Sequence, residues 1–236
     1  MQRVIQKIDS SLVEYFGVPK RNRKKPDSVD MLVGTILSQN TNDKNSYRAY
    51  QNLKEKYKTW EAVAEHPPSK IARIIKVAGL AKQKSKAIKS VLMGLKERNK
   101  KISLNYLNKL GDEEVIAELI KFNGVGVKTA SCVLLFSMNR NICPVDTHVH
   151  RTLNRIGLVN TNSPEKTFYK IIENIPNGAA HSFHTNLIRL GREICKPSKP
   201  KCTICPLIKK CNYDFKNFDL HTVHKKNDFM LLDNIS

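Results

Sequence analysis

No stretch of the chain approaches the roughly 20 consecutive apolar residues that a membrane-crossing helix needs, which excludes an integral helical membrane protein. Acidic residues are few: 21 Asp and Glu stand against 41 Lys and Arg, a net charge of +20 with a pI near 9.8. Aromatic residues make up only 7% of the 236, with one Trp, and hydrophobic residues 40%. That proportion is low for a globular protein but above the disordered regime. No low-complexity tract and no repeat period is present. No alternating apolar–polar run is long enough to predict a strand. The N-terminal segment MQRVIQKIDSSLVEYF mixes charged and apolar residues at helical spacing and lacks the apolar core of a signal peptide. The expectation is a cytoplasmic protein, on the nucleoid if the source is prokaryotic.

What is present is aliphatic helical periodicity. Met31, Leu32, Ile36 and Leu37 share a helix face, as do Ile71, Ile74 and Ile75, then Ile88, Leu92 and Leu95, then Val115, Ile116, Leu119 and Ile120. Short polar breaks such as 66–70 (HPPSK) separate these segments, so the prediction is an all-α protein of about ten helices. A chain of this length forms one large domain or two small ones. The basic excess is a statement about partners, and nucleic acid is the leading one. Local basic knots lie at 20–25, 82–89 and 196–201, and no single tail carries the charge, which predicts a folded basic surface.

Chemistry concentrates in three places. In FNGVGVKTA, residues 122–130, a helical stretch meets Gly124 and Gly126 and then an apolar helix that begins near Val127. Two glycines allow a tight turn and close approach to a ligand. The N–H groups that open a helix favour an anion such as phosphate, although a plain turn satisfies the same pattern. Lys128 falls in the first helical turn, where the macrodipole disfavours a cation. A lysine that can be neutral is a nucleophile able to form a Schiff base, and a phosphate-binding lysine is the alternative.

Asp146 follows Lys128 by 18 residues, in PVDTH. The intervening helix of about 11 residues is roughly 16 Å long, and eight further residues can span about 26 Å. The chain can therefore bring Asp146 back to the end of the helix that carries Lys128. Asp146 also precedes a helical segment, so an N-cap role competes with a chemical one. Four of the six cysteines, Cys195, Cys202, Cys205 and Cys211, fall within 17 residues. In a reducing compartment this crowding points to metal. One short knuckle with two wider gaps suits a cubane iron–sulfur cluster at least as well as zinc. Cys132 and Cys143, in apolar surroundings, are expected in the core.

These segments, in this order and at these distances, resemble the endonuclease III family of helix-hairpin-helix DNA glycosylases. The similarity runs from about residue 28 to Cys211 and includes 37–43 (LSQNTND), 77–80 (VAGL) with the basic helix after it, and 184–192 (HTNLIRLGR) leading into the first cysteine. The resemblance implies two all-α domains with a DNA-binding cleft between them. A six-helix domain with the hairpin would span 22–140. A cluster domain would combine 1–21 with 141–211, and 212–236 would form a C-terminal extension.

The resemblance also implies base flipping, attack of Lys128 on C1′ of the deoxyribose, and elimination of the 3′ phosphate. Asp146 would stabilise positive charge on the sugar and assist proton transfer. The four cysteines would hold a 4Fe–4S cluster shaping a loop that presents Lys199 and Lys201 to phosphates. Leu80 would be a wedge in the base stack, with a core leucine as the alternative. Gln39 or Asn40 would fill the gap left by the flipped base, and His148 would face the cleft or merely start a helix. Asp43 would cap or brace a helix. The similar adenine glycosylases lack the hairpin lysine and use a carboxylate from the second-helix region; here no Asp or Glu lies between Asp30 and Asp43, so the resemblance implies no adenine excision, and Lys128 argues against a monofunctional thymine mismatch enzyme. Oxidised pyrimidines remain as expected substrates. The partner would be double-stranded DNA with a damaged base or abasic site, bound by a monomer without a membrane. A non-catalytic or mismatch-directed DNA-binding protein on the same scaffold is the alternative.

Overall fold

The computed structural model describes residues 1–21, 25–220 and 230–235. Among them are eleven α-helices and no strand, in agreement with the all-α prediction. The chain divides into two compact units, one of Met1–Lys20 with Asn141–Asn227 and the other of Arg21–Arg140 with Asp228–Ser236. Helix α1 (Gln2–Phe16) opens the first unit. The second holds α2 (Ser28–Ser38), α3 (Asp43–Lys56), α4 (Trp60–Glu65), α5 (Pro68–Ile74), α6 (Ala81–Asn99), α7 (Asp112–Leu119) and α8 (Val127–Cys132). Helices α9 (Thr147–Ile156), α10 (Pro164–Ile171) and α11 (Ala180–Glu193) return to the first.

In the Arg21–Arg140 unit, α2 is the central helix. Its residues from Val29 to Leu37 are all buried, as expected of a helix apolar on nearly every side. Asp27 caps it, accepting from the backbone nitrogens of Val29 at 2.8 Å and Asp30 at 3.4 Å. The one charge on its buried length, Asp30, is satisfied by three donors: Tyr50 Oη at 2.9 Å, Lys54 Nζ at 2.9 Å and Trp60 Nε1 at 3.1 Å. These bonds pin α3 and α4 to α2, and burial beside Asp30 raises the Tyr50 phenol pKa, keeping it protonated. Helix α8 runs on into a π-helical turn over Val133–Ser137, closed by Met138 N donating to Val133 O at 3.2 Å. The apolar helix expected to begin near Val127 is thus continuous to Ser137 but changes its winding after Cys132.

In the other unit, Ile5, Ile8 and Leu12 of α1 are buried, as are Phe183, Leu187 and Leu190 of α11, and the two helices pack together. Asn186 Nδ2 donates to Gly17 O at 3.2 Å and Arg189 Nη1 to Phe16 O at 3.1 Å. The polar residues buried on α11 thereby satisfy carbonyls that the end of α1 leaves open. Cys132 and Cys143 are both buried, as expected.

The stretch expected as a C-terminal extension is not one piece. Residues 230–235 belong to the Arg21–Arg140 unit, where Leu231 and Ile235 are buried. Ile235 fills the space over Gly34 of α2, where a Cβ would stand 2.1 Å from Ile235 Cδ1. Leu231 N donates to Asp43 Oδ2 at 3.4 Å. Asp43 therefore braces the chain end, while Asn42 caps α3 by accepting from Asn45 N at 2.9 Å. Burial of two aliphatic side chains four residues apart accounts for the return. The middle of the extension, 221–229, and residues 22–24 of the first basic knot lie outside the described residues.

Candidate active site

The hairpin residues divide their work unequally. Gly124 has φ +85°, and a Cβ there would meet the Ala87 Cβ of α6 at 2.6 Å, so both conformation and packing require glycine. Gly126 has φ −104° and nothing within 4 Å of a built Cβ. Neither its conformation nor its packing within the protein needs glycine. Gly126 caps α8, and its carbonyl accepts the first helical bond, from Ala130 N at 3.0 Å. Lys128 follows in the first turn, half-buried, and within its own unit its ammonium makes no hydrogen bond or ion pair among the described residues.

Two further loops of this unit are strained in the same way. Asn40, exposed, has φ 52°, and Leu80 has φ 47° with 51% of its surface exposed. Asn tolerates the left-handed region, but a leucine there costs about 1–2 kcal/mol. An apolar side chain held outward in that conformation is not a core leucine. Gln39 behaves differently from its neighbour. Its Nε2 donates to Gly124 O at 3.1 Å and lies 3.4 Å from Thr129 Oγ1, tying the loop after α2 to the hairpin.

In the other unit, Asp146 is the N-cap of α9. Its Oδ1 accepts from the backbone nitrogens of His148 and Val149, both at 2.8 Å. The capping role is thus real, and it fixes the carboxylate at the helix N-terminus. His148 is half-buried with Nδ1 3.2 Å from Arg151 Nη2, and burial lowers its pKa, against a smaller raising effect of Asp146. Gly191 of α11 gives it room, since a Cβ there would lie 2.8 Å from His148 Cβ.

The cysteine loop is held by two arginines of α9, which no sequence motif marks. Arg151 donates to Cys195 O from Nε and Nη2, both at 3.1 Å, and to Gly191 O at 2.9 Å. Arg155 donates to Lys196 O at 2.7 Å and Pro197 O at 2.8 Å, lies over the Tyr213 ring, and places Nη1 3.5 Å from Cys195 Sγ. Asn217 N stands 3.4 Å from Cys202 Sγ. Burial pushes the Cys205 thiol up to about 12, relieved in part by a bond from the Leu207 backbone, with the charges of Cys195, Cys211 and Cys202 adding to the rise. Cys195 is raised by the same desolvation and lowered by Arg155. The four thiols are therefore close enough to feel one another. Among the described residues, no group of three or more His, Cys, Asp or Glu side chains is gathered as around a single ion. Lys199 is exposed with φ 47°, and Lys201 is half-buried with its backbone nitrogen bonded to Ile194 O at 2.9 Å.

The structure thus brings Gln39, Gly124, Gly126 and Lys128 together within one unit, and Asp146, His148 and the four cysteines with Lys199 and Lys201 within the other. One basic position was misread. Lys84, in the knot at 82–89, is 2% exposed rather than part of a surface. The signal was its spacing, since Lys84, Ile88, Val91 and Leu95 fall on one helix face.

Residues 33–177 match the family model of the HhH-GPD superfamily base excision DNA repair proteins. Endonuclease III of Thermotoga maritima is 33% identical over 210 residues, covering 89% of this chain and 93% of the relative. Endonuclease III of Rickettsia conorii is 34% identical over 213 residues, covering 90% of this chain and 97% of the relative. Among solved structures, a non-covalent endonuclease III–DNA complex superposes with a TM-score of 0.74 at 24% identity, covering 89% of this chain and 95% of that one. A thermostable thymine-DNA glycosylase gives 0.71 at 24% identity, with the same coverage of both chains. At that identity the structural likeness speaks for the fold, and the family model together with the relatives speaks for descent. With the hairpin, the capped Asp146 and the cysteine loop in place, the chain belongs to the HhH-GPD superfamily of base excision DNA repair proteins.

Proposed function

We propose that this protein is a bifunctional DNA glycosylase and AP lyase that removes damaged pyrimidines, chiefly oxidised ones, from double-stranded DNA. One observation carries the reading: Lys128 sits half-buried in the first turn of α8, two residues after Gly126, a glycine that neither backbone conformation nor packing requires. The relatives at 33% and 34% identity are named endonuclease III, and the superposed structures include a trapped endonuclease III–DNA covalent intermediate.

The chemistry follows from the residue types. Neutral Lys128 Nζ attacks C1′, the glycosidic bond breaks, and the base leaves with the bonding electrons and takes up a proton. One proton passes from the attached nitrogen to O4′ as the C1′–O4′ bond breaks, and the sugar ring opens to a protonated Schiff base. Loss of a C2′ proton then expels the 3′ phosphate and nicks the strand. Asp146, held in place by the backbone N–H bonds it accepts at the start of α9, stabilises the positive charge on the sugar. The hairpin backbone at Gly124–Gly126 holds phosphate. Asn40 is the residue we assign to the gap left by the flipped base, because Gln39 is committed to Gly124 O, and Leu80 is the wedge beside it.

Four buried or half-buried thiols with N–H groups directed at sulfur from Arg155 and Asn217 form a donor set that fits a 4Fe–4S cluster. Cys195, Cys202, Cys205 and Cys211 would hold it. When bound it cross-links the loop between 195 and 211 and supplies no step of base excision. We assign Lys199 and Lys201 to phosphate contacts from that loop, and place the enzyme in the compartment that holds the DNA.

The test is a cleavage panel of duplexes carrying thymine glycol, uracil, 8-oxoguanine, mismatched thymine or an abasic site, run beside iron and sulfide analysis. Strand cleavage at thymine glycol and at abasic sites, with about four iron and four sulfide per chain, supports the reading. Binding without cleavage at any lesion supports the non-catalytic alternative, and stoichiometric zinc without iron removes the cluster.

A further inference from the structure

Lys84 is among the largest fully buried side chains of the described residues, in a helix whose Lys82, Lys86 and Lys96 are exposed. Its Nζ donates to Leu37 O at 2.8 Å and to Ala78 O at 2.8 Å, and among the described residues no carboxylate partners it. Both acceptors are carbonyls that their own elements leave open. Leu37 lies in the last turn of α2, and Ala78 ends the 3-10 turn Lys76–Ala78. The backbone nitrogen of Lys84 also donates to Leu80 O at 3.0 Å. One residue therefore holds the chain three positions before Asn40, two positions before Leu80, and at Leu80 itself. Asn40 and Leu80 are the two left-handed residues assigned above to gap filling and wedging, and neither loop has a side-chain cap of its own there.

A hydrophobic residue at 84 would fill the volume but leave two buried carbonyls unpaired. A lysine reaches both with a single nitrogen, and its cationic form suits the negative end of α2. From this geometry we infer that Lys84 is a positioning residue that locks the Asn40 loop to the Leu80 loop, so that the two enter the DNA stack as one rigid element. The inference rests on the assignment of Asn40 and Leu80 under Proposed function. Misplacement of such an element by about 1 Å can lower the rate by up to a hundredfold without touching phosphate contacts.

The test uses full-length, cluster-loaded protein and two duplexes. One carries a non-cleavable tetrahydrofuran abasic analogue flanked by 2-aminopurine, whose fluorescence reports unstacking, and the other a natural abasic site. Lys84→Met should bind undamaged duplex within about threefold of wild type, because its hairpin and phosphate contacts remain. It should lose most of the 2-aminopurine signal and incise the abasic site about tenfold or more slowly in kcat, with Asn40→Ala and Leu80→Ala changing both readouts in the same direction. A Lys84→Met protein with wild-type fluorescence and rate, alongside impaired Asn40→Ala and Leu80→Ala, overturns the inference and leaves the assignments standing. Unimpaired Asn40→Ala and Leu80→Ala overturn the assignments themselves, and the inference with them. If Lys84→Met does not fold, amide exchange in the wild type decides. Gln39 and Gly79, whose nitrogens are bonded to Ile36 O and Lys76 O, should show matching protection as parts of one opening unit. Protection differing by more than about tenfold would mean that the two loops open independently.

Discussion

A Cβ on Gly124 would stand 2.6 Å from the Cβ of Ala87, so the hairpin and α6 approach as closely as a missing side chain allows. With φ +85° added, Gly124→Ala should cost about 1–3 kcal/mol of stability and weaken DNA binding. Gly126→Ala meets no neighbour and should leave stability within about 0.5 kcal/mol while still lowering affinity for DNA. Urea unfolding beside duplex titration measures both. A stable Gly124→Ala protein with undiminished affinity would contradict the packing account.

Asp146 both caps α9 and is assigned to the chemistry, and two substitutions separate these roles. Asn caps as well as Asp, so Asp146→Asn should unfold at the wild-type urea midpoint yet excise bases at least about a hundredfold more slowly. Asp146→Ala should lose about 1 kcal/mol of stability as well. Equal loss of activity and stability in both variants would reduce Asp146 to a cap.

The assignment of the cysteine loop to DNA is read from salt dependence. Affinity for undamaged duplex should fall steeply with salt, and replacing Lys199 and Lys201 by Ala should flatten the slope by about one unit per lost phosphate contact. Lys199 is the more exposed of the two and should account for the larger share. An unchanged slope would take the loop off the DNA.

Burial lowers the Lys84 ammonium from the ordinary 10.5 to about 8. Between those values the unfolded chain holds the proton and the folded chain releases it, so stability rises with pH across that window. Below pH 8 the full cost of burying the charge is present. The stability difference between wild type and Lys84→Met should therefore shift in favour of wild type from pH 8 to about 10.5, by at most about 3 kcal/mol. A difference independent of pH would mean that the fold leaves the Lys84 ammonium at its ordinary value, contradicting its desolvation.

Much of this molecule was legible in its sequence because its helices are amphipathic with aliphatic stripes, and because Lys128, Asp146 and the four cysteines fall in short motifs whose spacing has a chemical reason. What escaped was settled by contacts between segments distant in the chain. Adjacent residues 39 and 40 are both amides, and only the bond from Gln39 to Gly124 O, 85 positions away, separates their roles. Lys84 looked like one more surface charge because lysines surround it, although its register with Ile88 and Val91 marks the buried face. Leu231 and Ile235 follow a polar stretch, so the local composition hid two core residues of the Arg21–Arg140 unit. Arg151 and Arg155 hold the cysteine loop through backbone carbonyls, which carry no sequence signature.

The central claim is that Lys128 is the nucleophile, and borohydride trapping tests it most directly. A Schiff base to abasic-site DNA is reduced by borohydride to a stable covalent link. Wild-type protein should give a cross-linked band whose modified residue, mapped by peptide mass analysis, is Lys128, while Lys128→Gln should retain much of the DNA affinity and give no band. A wild-type protein that neither cross-links nor nicks abasic DNA, or one that cross-links through another lysine, would contradict the account.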